Sequence, residues 1–308
     1  MSGSGTGPGA DPAATESGTG FSADWLTLRE PFDTAARAEA DAVARFACAA
    51  GDGAPRQVVD LACGSGANLR ALAPHLGPRQ HWRLVDHDAA LLAAVPAALR
   101  AWGGRLGYRV AGGDAGTPIT IAGPGFDATV VRQALDLAMD LAVLPLPAGA
   151  LVTASALLDL VSAAWLGELI DRAGRARAAL LFTLSVDGRI AWDPADVEDA
   201  AVQSAFAAHQ RRDKGFGPAL GPTAAAWAQA CLSAAGWHTR AGPSDWRIDG
   251  ARSPAMLQAL VDGMATAAAE QCPAAAAAFR GWQRRRAARR SDTALVVGHA
   301  DLAARPPE

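Results

Sequence analysis

From residue 57 onward, short continuous apolar runs alternate with stretches whose apolar positions recur every third or fourth residue. The runs predict strands at Gln57–Ala62, His81–Asp86, Ala150–Ala154, Ala179–Val186, Trp237–Trp246 and Ala294–His299. The periodic stretches predict helices from Ala67 to Leu76, Ala89 to Trp102 and Leu157 to Ala173. Ahead of them Ala23 to Ala50 reads as helix, with a break or restart at Pro31. The segment from Gly103 to Gly125 is glycine-rich and weakly patterned and fits a hairpin insertion. Two runs compete as the third strand: Tyr108–Ala111, ending at Asp114, and Ala128–Gln133, ending near Asp136. Taking the first, with the second as a further strand, gives eight strands; taking the second alone gives seven. Alternation with short connections calls for an α/β fold, a mostly parallel sheet with helices on both faces.

The first strand carries the densest chemical signal, Val58-Val59-Asp60-Leu61-Ala62-Cys63-Gly64-Ser65-Gly66-Ala67-Asn68. An apolar run ending in an acid, two glycines one residue apart and then a helix is what a βαβ unit needs to bring a nucleoside-like ligand onto its backbone. Asp86 ends the next run, where a carboxylate accepts hydrogen bonds from ribose hydroxyls. A dinucleotide site wants G-x-G-x-x-G with its pyrophosphate on the helix N-terminus. Here the string is G-S-G-A-N-L, and Asp60 would repel a pyrophosphate but suits a cationic amino group.

The acid, the glycine pair and the second acid resemble motif I and the ribose-binding acid of class I S-adenosylmethionine-dependent methyltransferases. The motifs lie between Ala54 and Val186, and the remainder matches by strand count. Asn68 stands where many members carry a third glycine. The resemblance implies a Rossmann-like seven-stranded, mostly parallel sheet whose last strand pair is antiparallel. It makes Asp136, rather than Asp114, the adenine-side acid. It implies S-adenosyl-L-methionine as cofactor, held by Asp60, Ala62, Gly64, Gly66, Asn68, Asp86, His87, Asp136 and Leu137.

Half of the 308 residues are hydrophobic, enough for a large core, and a net charge of −3 gives no electrostatic footprint for nucleic acid. The expected organisation is a disordered tail over 1–20, then a single domain over 21–308 with a helical cap at its start and an inserted lid around 187–222. The tail has no apolar signal segment. Leu141–Leu158 is broken by Pro145, Pro147 and Gly149 and reads as a helix end, loop and strand instead of a membrane span. Four scattered cysteines suggest reduced thiols, a cytoplasmic protein and no metal site. The run Arg284-Arg285-Arg286 with Arg289-Arg290 reads as a solvated helix face.

Methyl transfer from a sulfonium needs alignment of the reactants and removal of a proton more than covalent help. His209, in the charged and glycine-rich segment Ala207–Pro222, is a candidate base beside Arg211, Arg212 and Lys214; a merely solvated loop is the alternative. Ser155 and Asp159 follow the fourth strand, a position that faces the methyl group in the family. Arg29, Glu30, Asp33 and Arg37 either meet the ligands or pair along their own helix. Trp165, Trp227, Trp237, Trp246 and Trp282 read as core, and His238 and His299 as structural. The expected function is methylation of an oxygen or nitrogen of a small molecule, with neither nucleic acid nor membrane as partner. The alternatives are a cofactor-binding protein that no longer transfers methyl groups, and a nicotinamide-dependent oxidoreductase, which Asp60 and the missing glycine disfavour. DNA adenine methylation is disfavoured by Ser155-Ala156-Leu157-Leu158 where a proline-proline-tyrosine motif would stand.

Overall fold

The computed structural model describes residues 23–48, 56–114 and 116–307, so the expected tail lies outside the described residues. The chain divides into two compact units. The larger contains Phe32–Ile190, Gln210–Trp246 and residues 296–307, and the smaller contains 23–31, Ala191–His209 and Arg247–Leu295.

The strands are β1 (Arg56–Leu61), β2 (Arg79–Asp86), β3 (Arg109–Gly112), β4 (Ile119–Gly123), β5 (Phe126–Ala134), β6 (Leu151–Ser155), β7 (Ala179–Asp193), β8 (His238–Pro243), β9 (Trp246–Asp249) and β10 (Ala294–Arg305). They form a ten-stranded sheet whose main path runs β3-β4-β5-β2-β1-β6-β7-β10-β8. β5, β2, β1, β6 and β7 are parallel neighbours, and β10 pairs antiparallel with β8. Setting aside the β3–β4 hairpin and short β9, seven strands remain, the number and kind that the resemblance implies. The hairpin is antiparallel to β5 and fills the glycine-rich segment. Since β5 is the third parallel strand, it is Asp136 that falls just beyond a parallel strand beside β2.

The helices are α1 (Ala23–Glu39), α2 (Asp41–Cys48), α3 (Ala67–Leu72), α4 (Ala89–Leu106), α5 (Leu137–Asp140), α6 (Ala163–Arg175), α7 (Asp199–Gln210), α8 (Ala224–Ala234), α9 (Pro254–Gln271) and α10 (Ala276–Ala288). Local chemistry sets several ends. Asp88 caps α4 by accepting from the N–H groups of Ala90 and Leu91, and Gly107, at φ 79°, ends it. The expected break at Pro31 does not occur; α1 runs through it and gives way to α2 at Ala40 instead.

Side chains alternate between two cores along β1. Val59 and Leu61 join Val152, Leu180, Phe182, Leu166 and Leu232, whereas Val58 joins Leu69, Leu84, Leu151, Leu181 and Val43. Trp165, Trp237, Trp246 and Trp282 are buried as expected.

The smaller unit buries Met256, Leu257, Val261, Met264, Phe279 and Trp282. Its basic run is not simply a solvated face: Arg286 is buried, binds both oxygens of Asp199 and lies 4.2 Å from the Trp192 ring centroid. Arg285 holds Asp196 and Glu198. A Cβ at Gly250 would stand 2.0 Å from the Arg290 carbonyl oxygen and 2.8 Å from that of Thr293. Gly250→Ala is therefore expected to destabilise by about 1–3 kcal/mol, read as a lower melting temperature; an unchanged melting curve would contradict this packing.

The region 187–222 is largely regular structure. It holds the last part of β7, the helix α7 and a turn in which Asp213 Oδ1 accepts the N–H groups of Gly215 (2.7 Å) and Gly217 (3.0 Å). Phe216 packs edge-on against Trp165 at 5.4 Å, and Leu220 N–H donates to the Val161 carbonyl. These contacts anchor the turn to the larger unit.

Candidate functional site

Along three adjacent strands of the larger unit one face changes from apolar to polar at the carboxyl ends. Val58 is followed by Asp60 on β1, Leu151 by Thr153 and Ser155 on β6, and Leu181 by Thr183 and Ser185 on β7. The register pairs Asp60 with Thr153 and Ser155 with Thr183, so these side chains project from the same face. Non-glycine residues with positive φ occur at this end: Ala62 (50°), Ala156 (53°) and Leu184 (56°). Such backbone costs energy and gathers at functional sites.

Asn68, at the start of α3, is the hub. Its amide nitrogen donates to Asp60 Oδ1 at 2.7 Å and to Thr153 Oγ1 at 3.0 Å, while its oxygen accepts Arg37 Nη1 at 2.8 Å. Arg37 Nη2 donates to Ser155 Oγ, also at 2.8 Å. A guanidinium from α1 thus ties β6 to α3, and through Asn68 to the acid of β1. Neighbouring Asp33 is buried and accepts the Trp246 indole N–H at 3.0 Å. Asp33 and Arg37 thus reach partners outside their own helix.

Asp60 is fully buried, and its Oδ2 has no hydrogen-bond partner among the described residues. Burial raises its pKa to about 7 against the lowering effects of the Asn68 hydrogen bond and the Arg37 charge, and the Asp86 charge raises it further. Burial, then the charges of Asp60 and Asp86, also push the Cys63 thiol up, which leaves it a poor nucleophile.

After β1 the chain turns through Ala62, Gly64 (φ 52°) and Gly66 (φ 82°) into α3. Asp86, at the end of β2, closes this turn: its Oδ2 accepts Gly64 N–H at 2.8 Å and its Oδ1 accepts Asp88 N–H at 2.9 Å. Each oxygen keeps lone-pair capacity for a ligand hydroxyl. His87 is half exposed, with Nδ1 3.5 Å from Asp86 Oδ1. Asp136 is exposed and caps α5 through Ala138 N–H, while Leu137 is buried with its carbonyl accepting the Trp165 indole N–H.

Asp60, Ala62, Gly64, Gly66, Asn68 and Asp86 form one connected turn at the ends of β1 and β2. Among the expected acceptor-side residues, Ser155 ends β6 and Asp159 lies in the short helical turn Leu158–Leu160. His209 belongs to the smaller unit, where Nε2 lies 3.0 Å from Glu270 Oε2. Sequence reasoning missed Thr183, Ser185 and Asp301 and gave no role to Thr153; a hydroxyl placed every second residue in apolar strands was the available signal for Thr153, Thr183 and Ser185.

No known family profile and no curated protein matches the chain. Solved structures do. The chain is similar to an O-methyltransferase family protein from Burkholderia thailandensis at 17% identity, with 71% of this chain and 57% of that one covered and a TM-score of 0.40. It is similar to a cyclopropane-fatty-acyl-phospholipid synthase-like protein from Lactobacillus casei at 16% identity, covering 92% and 94%, with a TM-score of 0.46. A third is the geranyl diphosphate C-methyltransferase from Streptomyces coelicolor, at 13% identity, 87% and 77% coverage and a TM-score of 0.39. The chain spans little more than half the length of the first of these. Likenesses this distant say nothing of substrate, and the chemistry has to be read from the cradle.

Proposed function

We propose that the protein binds S-adenosylmethionine and moves its methyl group to an oxygen or nitrogen of a small molecule. The observation that carries this reading is the buried Asp60 carboxylate, with one oxygen unpartnered among the described residues, directly before the glycine turn that Asp86 closes. A cationic amino group suits Asp60, and a ribose diol suits Asp86. Gly64 and Gly66 let the ligand approach the main chain, with Asp136, Leu137 and His87 on the adenine side. Ser155 and Asp159 are the acceptor-side residues in this reading. When bound, the sulfonium supplies an activated methyl carbon and a neutral leaving group, so the chain's own residues have to align the acceptor and accept its proton.

The test is calorimetric titration with S-adenosylmethionine, S-adenosylhomocysteine and NAD separately. Micromolar binding of the first two and none of NAD is expected; NAD binding alone would overturn the reading. Asp86→Ala is expected to weaken S-adenosylhomocysteine binding by about 1–3 kcal/mol through unmade hydrogen bonds, and unchanged affinity would remove Asp86 from the site.

A further inference from the structure

A second group of buried polar atoms in the larger unit continues from Ser155 across β7 to β10. Asp301, on β10, is 1% exposed. Its Oδ1 accepts both the Leu184 N–H at 2.8 Å and the Ser244 hydroxyl at 2.5 Å. Leu184 presents that N–H from a left-handed backbone, φ 56°, which a branched side chain rarely adopts. On either side of it, Thr183 and Ser185 are 2% and 1% exposed, and their hydroxyls have no hydrogen-bond partner among the described residues. Thr183 is the register partner of Ser155, which holds Arg37. Buried hydroxyls without partners are costly and uncommon. Two of them flank the residue whose backbone N–H orients the buried Asp301 carboxylate.

We propose that this group is the acceptor subsite: the Asp301 carboxylate receives an O–H or N–H of the methyl acceptor, and the Thr183 and Ser185 hydroxyls bond its other polar atoms. The proposal rests on the methyltransferase reading and adds to it the acceptor's chemistry and the residue that takes its proton. A carboxylate only accepts hydrogen bonds, and both structural donors sit on Oδ1, so Oδ2 is the atom that would accept from the methyl acceptor. As the acceptor's lone pair forms its bond to the methyl carbon and the carbon–sulfur pair stays on sulfur, the O–H or N–H proton passes to Asp301. Burial makes this carboxylate more basic than an exposed one; Arg37 opposes that rise and Asp33 adds to it.

The experiment titrates the full chain, saturated with S-adenosylhomocysteine, with catechol as O–H probe and benzylamine as N–H probe, followed by ligand-observed NMR. Wild type, Asp301→Asn and Thr183→Val are compared, with S-adenosylhomocysteine affinity and melting temperature measured for each. The expected result is that wild type binds at least one probe, that both variants bind it about tenfold or more weakly, and that cofactor-product affinity is unchanged. The probe that binds identifies the donor as O–H or N–H. Thr183→Val is expected to melt at or above wild type, because a methyl replaces an unpartnered hydroxyl; it carries the test if Asp301→Asn fails to fold. Binding of neither probe, equal binding by wild type and variants, or a lower melting temperature for Thr183→Val would each overturn the subsite. Failure of wild type to bind S-adenosylhomocysteine would instead overturn the methyltransferase reading and the subsite with it.

Discussion

Asn68→Ala is expected to lower the unfolding free energy by about 3 kcal/mol or more, because leaving a buried charged group without its hydrogen-bond partner costs more than the roughly 1–3 kcal/mol of a neutral one. The amide connects Asp60 on one side with Arg37 on the other, and it is itself buried. Removing it leaves Asp60 with neither oxygen hydrogen-bonded among the described residues and deprives Arg37 of one of its acceptors. Water cannot easily replace those bonds around a carboxylate with no exposed surface. The measurement is the urea midpoint at constant slope; a loss under about 1 kcal/mol, the net worth of a single ordinary hydrogen bond, would show that the network does not act as a unit.

The affinity for S-adenosylhomocysteine is expected to fall about tenfold for each pH unit below about 7, because its ammonium requires ionised Asp60. The carboxyl's value rises from 3.8 to about 7 on folding, so between those limits the folded chain keeps a proton that the unfolded chain has released. Stability from this group is therefore complete below about 3.8 and is lost as the pH rises through about 7. Ligand affinity changes in the opposite direction across the upper part of the same window. Calorimetry over the pH series checks both, with Asp60→Asn as control: it should bind weakly and without the slope. A flat affinity profile for wild type would mean that Asp60 does not meet the ammonium.

The β1 and β2 part of the candidate site was legible because buried parallel strands are continuous apolar runs, and an acid at the end of each stands out. Strand counting also anticipated that the run before Asp136 is a parallel strand, since β5 lies beside β2 and the run at Tyr108 became the far arm of a hairpin. What could not be read were contacts over long separations. Arg37 reaches Asn68 and Ser155, 31 and 118 residues away, whereas local spacing favoured partners on its own helix. Asn68 read as a missing glycine, although its side chain carries the network. Asp301 sits in an apolar strand whose neighbours give no hint of the Leu184 N–H 117 residues earlier. Pro31 misled in the other direction, because α1 accommodates it inside the helix.

The β3–β4 hairpin has a consequence for solution behaviour. It moves one free border of the sheet from the nine residues of β5 to the four of β3. A long, regular border with unpaired N–H and C=O groups is a template on which other chains assemble, and a four-residue one offers little hold. The insertion thus protects against self-association, and a shortened chain that joined α4 directly to β5 would expose the border that natural folding covers.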